Sequence, residues 1–137
     1  SGAAGGTTAG LLGFTRATVR PGVEVVADLV GLAGALEMAD LVITGEGRAD
    51  EQTLHGKTAM GIATLARSRD TRVVLLCGAL GEGAEALEAA TAITVVQPIL
   101  DRPIDLASAM AETKRLLVAA AGRLARTIGI GLEHARP

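Results

Sequence analysis

Three short apolar runs constrain this chain more than any other feature. Asp40–Thr44, Arg72–Cys77 and Ile93–Val96 are rich in β-branched residues and do not alternate cleanly with polar ones. A strand with one wet face alternates, so these runs read as strands covered on both faces, as in a parallel sheet. Between them the period becomes helical. Thr58 to Arg69 places Ala59, Ile62, Ala63, Leu65 and Ala66 on one stripe, and Glu82 to Ala90 reads as a short helix. Asp105 is an N-cap for a long final helix, with Leu106, Met110, Leu117, Leu124 and Ile128 at helical spacing and Met110 in the core. The β-α-β-α-β-α order predicts an α/β fold, a three-layer sandwich with a mostly parallel sheet of Rossmann or flavodoxin type. Three strands make a thin sheet for this much helix, so further strands are expected from a longer parent chain or a partner subunit.

The first forty residues read differently. "GAAGGTTAGLLGFTRA" is a glycine loop feeding a helix from about Thr7 to Ala17, and "RPGVEVVADLVGLAGALEMA" is a pair of short helices broken near Gly31. The organisation is therefore a lead-in over residues 1–40 and a βαβαβα portion over residues 41–137.

A length of 137 residues is enough for one domain with a real core. Phe14 is the only aromatic residue, so that core is built from Ala, Val, Leu and Ile, and a base-stacking surface for single-stranded nucleic acid is excluded. The net charge of −2 also argues against a phosphate-backbone binder, so no nucleic-acid partner is expected. Cys77 is the only cysteine, which rules out an intramolecular disulfide and a CxxC zinc cluster; within "RVVLLCGAL" it reads as a buried thiol. No apolar run approaches a membrane span and no signal peptide is seen, so a cytoplasmic location away from membranes is expected.

The stretch "DLVITGEGRADEQTLHGKT" has the look of a P-loop but not its spacing. Counting back from Gly56-Lys57-Thr58, the first glycine of G-x-x-x-x-G-K-[ST] falls on Glu51, and Gly47 lies too far upstream. The polar residues Glu46, Arg48, Asp50, Gln52, Thr53, His55 and Lys57 nevertheless follow a predicted parallel strand, at the end where open α/β sheets place ligands. Gly45 and Gly47 permit positive φ and close approach of a ligand. A helix starting near Lys57 offers free N–H groups to an anion. Arg48 suits a bidentate grip on carboxylate or phosphate, and Lys57 is a compact positive charge. Asp50 or Glu46 could hold Mg²⁺ or accept a hydroxyl proton. A solvated turn, with Glu46 and Arg48 as a weak surface pair, accounts for the same residues.

The pattern resembles the signature of the bacterial glycerate kinase family, TGEGR-x-D-x-Q-[ST]-x-x-GK. Its fixed positions are present as Thr44, Gly45, Glu46, Gly47, Arg48, Asp50, Gln52, Thr53, Gly56 and Lys57. "SGAAGG", with Gly2, Gly5 and Gly6, is similar to the family's glycine loop, "RPGVEVVADLVGL" to the helix after it, and "LCGALGEGAEAL" to the next strand and turn. The likeness runs from Ser1 to about Ile128. It implies transfer of the γ-phosphoryl group of ATP to D-glycerate with Mg²⁺. Arg48 and Lys57 would then neutralise charge, Asp50 would bind the metal or accept a proton, and Glu46 would come second in that role. Gln52 and Thr53 would orient hydroxyls or phosphate, with Thr44 and the glycines Gly2, Gly5, Gly6, Gly45, Gly47 and Gly56 around the ligand.

Two departures bear on activity. The family's loop often carries a further glycine where this chain has Thr8. Members are also longer and two-lobed, beginning with a strand into an Asp-Ser-Phe-Lys-Gly stretch that does not occur here. The chain thus resembles the carboxyl-terminal part of such an enzyme, expected to be inactive without the amino-terminal segment. The alternative is a non-catalytic anion-binding or assembly module that keeps the fold, its open sheet edge favouring a homo-oligomer.

Overall fold

A computed structural model gives the architecture, and it describes residues 3–55 and 58–134. A 3-10 turn over Ala3–Gly6 leads into α1 (Thr7–Phe14), followed by α2 (Gly22–Leu29) and α3 (Leu32–Glu37). Strand β1 (Leu41–Ala49) passes through a second 3-10 turn, Glu51–His55, to α4 (Ala59–Arg67). Then come β2 (Arg72–Leu80), α5 (Ala86–Ala90), β3 (Val95–Pro98), α6 (Leu106–Ala111) and α7 (Thr113–His134). The three strands form one sheet in the order β1-β2-β3, with both pairings parallel. The expected mixed α/β fold with a parallel sheet is present.

Strand β2 lies between its neighbours and is the buried one. Val73, Val74 and Leu75 are consecutive buried residues, which requires cover on both faces of the sheet. Val73, Leu75 and Cys77 pack with Ala59, Ala63 and Ala66 of α4, with Leu36 of α3, and with Leu87 and Ile93. The alanine stripe lets α4 approach the sheet closely, in keeping with a core that has no aromatic ring. On the far side Leu116 and Ala120 of α7 bury Ile99 in a smaller cluster.

Several boundaries differ from the sequence reading. The expected single helix after Asp105 is two helices meeting at Glu112. Asp105 does cap the first: its side chain accepts the Ser108 N–H. Met110 is not core, being 70% exposed, and Leu106 is exposed with it; α7 is held instead by Leu116 and Ala120. The helix expected over Thr7 to Ala17 stops at Phe14, and none of its residues is buried. The break near Gly31 is present, with that glycine at φ +67° between α2 and α3.

The most consequential difference concerns β1. The strand does not end at Thr44 but continues to Ala49, because β2 extends equally far and keeps it in register through Glu46 opposite Cys77 and Arg48 opposite Ala79. Gly45 and Gly47 are therefore strand residues, and neither has a positive φ. Close packing shows at Gly45, where a Cβ would lie 3.3 Å from the Leu76 carbonyl oxygen, and at Gly78 on β2, where it would lie 2.4 Å from the Gly47 carbonyl oxygen; a Cβ on Gly47 would meet nothing within 4 Å.

Candidate active site

Strand geometry places the first two polar residues. Side chains two apart share a face, so Glu46 and Arg48 lie on the side of the sheet that carries Leu75 and Cys77 on β2. The chain then folds over that face in the 3-10 turn Glu51–His55, whose Thr53 is buried. A buried hydroxyl needs partners. Thr53 Oγ1 donates to Glu46 Oε1 at 2.6 Å and accepts the Asp50 N–H at 3.1 Å.

Asp50 is the corner of the turn. Its Oδ1 accepts the Gln52 N–H at 2.9 Å, its carbonyl accepts the Thr53 N–H at 2.9 Å, and its Oδ2 meets Arg48 Nε at 3.0 Å. Arg48 pairs with Asp50, then, and not with Glu46. The Arg48 side chain remains 65% exposed, so its guanidinium is anchored at one end and open to solvent. An anchored fork of this kind suits recognition of phosphate or carboxylate.

The turn after β2 supports the cluster from the side. Gly81 donates its N–H to the Ala49 carbonyl at 2.7 Å, and Glu51 donates to the Glu82 carbonyl at 3.0 Å. Gly83 follows at φ +79°, a left-handed conformation suited to glycine. The sequence marks "CGALGEG" only as strand and turn; the contacts of its glycines with the β1 end depend on the fold.

Other expected site residues lie around this centre or apart from it. Thr44, Gly45 and Gly47 line an apolar cavity of about 480 Å³ between the sheet and the α6–α7 pair, walled by Ile43, Leu76, Met110 and Leu117. Gln52 is exposed, as is His55 at the end of the 3-10 turn. Gly5 and Gly6 have positive φ, and a Cβ on either would meet nothing within 4 Å. Gly2, Gly56 and Lys57 lie outside the described residues. Helix α4 begins at Ala59, just after the position expected for its amino terminus.

Cys77 stands beside this cluster in sequence register but turns into the core. Burial, with a smaller push from Glu46, raises its thiol to about 11, a backbone hydrogen bond to Ala49 opposing the shift. It is an inert core thiol at neutral pH.

The fit to a metal is limited. Among the described residues no group of three His, Cys, Asp or Glu side chains could hold an ion. Mg²⁺ in phosphoryl-transfer sites is typically held by one or two carboxylates together with substrate phosphates; both Asp50 oxygens are bonded at the corner, and the Glu46 oxygen that Thr53 does not engage is the one that fits that role. No helix among the described residues is long and apolar enough to cross a membrane.

Comparison with known proteins adds a consistent result. A family model described as the glycerate kinase family matches residues 1–129. The chain is 40% identical over 125 residues to a glycerate kinase of Halalkalibacterium halodurans, covering 91% of this chain and 33% of that protein. It is 32% identical over 135 residues to the glycerate 2-kinase of Escherichia coli K12, covering 98% of this chain and 35% of the relative. The crystal structure of a protein assigned as glycerate kinase 2 from Salmonella typhimurium LT2 superposes with a TM-score of 0.72 at 34% identity, over 96% of this chain and 33% of that one. The chain spans about a third of the length of these relatives.

Proposed function

The chain belongs to the glycerate kinase family, and on that premise we propose that it forms the carboxyl-terminal part of an enzyme moving the γ-phosphoryl group of ATP to D-glycerate. One observation carries this reading. Arg48 and Asp50 converge with Glu46 and Thr53 where two adjacent parallel strands end, the position at which open α/β sheets bind ligands.

The residues divide the work by their bonding. Both carboxylate oxygens of Asp50 are engaged, one by Gln52 N–H and one by Arg48, so Asp50 acts chiefly by holding Arg48. Arg48 binds an anionic oxygen of glycerate or of the transferring phosphoryl group, supplying charge stabilisation that strengthens as charge develops. Thr53 engages Oε1 of Glu46, which leaves the other carboxylate oxygen to accept the substrate hydroxyl proton or to face a metal. Mg²⁺ brought in on the nucleotide phosphates supplies neutralisation of the phosphate oxygens. Lys57, with Gly56 beside it, adds a second positive charge by its place in the sequence pattern.

Phosphoryl transfer depends on positioning several groups at once, so the chain alone is inactive and gains activity with the remainder of the enzyme. A second reading, an assembly module that keeps the fold without catalysis, has one observation in its favour. Phe14, Leu29 and Val30 are exposed at 92%, 82% and 70%, an apolar surface suited to a covering partner.

The test is a chimaera in which this chain replaces the matching third of the Halalkalibacterium halodurans glycerate kinase. ADP release from MgATP with D-glycerate, sharply reduced by Glu46→Gln or Arg48→Ala, supports the kinase reading. A folded chimaera with no turnover favours the assembly module.

A further inference from the structure

The end of β2 and the turn after it contain three glycines, each explained differently. Gly83 has φ +79°, so its backbone conformation accounts for it. A Cβ on Gly78 would come within 2.4 Å of the Gly47 carbonyl oxygen, so close packing of β1 on β2 accounts for that one. Gly81 has no positive φ. A Cβ there would lie 2.6 Å from Arg48 Nε, 2.8 Å from Arg48 Nη2 and 2.7 Å from Asp50 Cβ. Its nearest neighbours are thus the two members of the ion pair.

We propose that Gly81 is a positioning residue for Arg48: its missing side chain is the space in which the guanidinium lies against the turn while bound to Asp50. This rests on the reading of Arg48 as the anion-binding group and identifies what sets its pose. Two of the three nearest atoms belong to the far end of the Arg48 side chain, which can swing away, and the third, Asp50 Cβ, moves only with the corner that holds Arg48, so a methyl group at position 81 displaces both members of the pair. At position 78 the obstructing atom is backbone. The two glycines therefore separate by consequence: Gly78 protects the sheet, and Gly81 protects the Arg48–Asp50 pair and with it the direction of Arg48. The Gly81 N–H bond to the Ala49 carbonyl at 2.7 Å fixes the turn against the strand end, so the displacement falls on Arg48 and on the Asp50 corner that anchors it.

The experiment reads Arg48 directly in this chain, without substrate. The Nε–H signal of Arg48, assigned by its loss in Arg48→Ala, is followed by ¹⁵N-edited NMR for its shift and its exchange with water. Gly81→Ala is expected to speed that exchange by about tenfold, the scale of one lost charge-assisted hydrogen bond, while the β1 and β2 amide signals persist. Asp50→Asn is expected to produce a similar change. An unchanged Arg48 signal in folded Gly81→Ala overturns the proposal. If Gly81→Ala impairs folding, its stability loss is compared in the native and Arg48→Ala backgrounds. A smaller loss without Arg48 supports the proposal, and an equal loss overturns it. Kinase turnover plays no part in these measurements, so failure of the catalytic reading would appear separately, in the chimaera.

Discussion

The Thr53 hydroxyl donates a 2.6 Å hydrogen bond to Glu46 Oε1, joining the 3-10 turn to the strand five residues before it begins. Thr53 Oγ1 also accepts the Asp50 N–H, so one buried hydroxyl fixes both acidic residues relative to each other. Replacing it by an isosteric methyl leaves a carboxylate and a backbone N–H without their partner. Thr53→Val is expected to lower stability by roughly 1–3 kcal/mol, and Thr53→Ser to retain most of it. Urea unfolding of the three proteins checks this; equal midpoints for Val and Ser variants would refute it.

Glycine at position 78 is a packing requirement. Gly78→Ala would push a Cβ onto the Gly47 carbonyl oxygen at 2.4 Å, where only backbone can yield. The expected cost is about 1–3 kcal/mol, the usual range for overpacking. Denaturant melts should show the lower midpoint with an unchanged slope.

Burial of Cys77 has a signature in alkali. Its folded value, about 11, lies above the ordinary 9.0, so the folded state holds the thiol proton more tightly than the unfolded state does. That contribution is fully present below pH 9 and is lost as pH rises toward 11. Thermal melts of native and Cys77→Ala proteins should therefore converge over that interval. A thiol reagent at pH 8 should label the native chain only as it unfolds.

Four charged residues join the segment after β3 to the α6–α7 junction. Arg115 bridges Asp101 and Glu112 at 2.8 and 2.7 Å, and Arg102 contacts the same two acids at 2.9 and 2.8 Å. These arginines hold both carboxyls below their ordinary range. With folded values depressed, the contribution is present above the unfolded carboxyl pKa, about 4, and is lost as pH falls through the folded values. The stability gap between native protein and Arg115→Gln should be open at pH 6 and close on acidification. High salt at neutral pH should narrow it as well. A pH-independent gap would show that the arginine acts only by packing.

In the chimaeric kinase, Arg48→Ala is expected to reduce kcat/KM by about 10²–10³-fold, the scale seen when a donor to developing charge is removed. Asp50→Asn keeps the shape of the corner and loses the charge that holds Arg48, so a smaller loss is expected. Steady-state kinetics of both variants decide between these roles. A larger effect at Asp50 than at Arg48 would make the aspartate the chemical participant.

The order of elements was legible because burial and period are local properties. Apolar runs without alternation marked β1, β2 and β3, the alanine stripe marked α4, and Asp105 marked the start of α6 by its capping chemistry. Met110 misled because helical spacing identifies a stripe but not what lies opposite it. The sheet face before α6 is filled with glycine and a wide cavity, so that stripe remains exposed.

The amino-acid sequence by itself determined the α/β class and the buried thiol, since each follows from residue type and short-range spacing. Tertiary structure alone decided that β1 runs on to Ala49, that Arg48 pairs with Asp50, and that Gly81 lies beneath that pair. Each depends on β2, whose parallel register carries residues 31 positions downstream to the side of β1. A strand ends where its partner ends, and an arginine points where its neighbours leave space; neither neighbour is close in the chain.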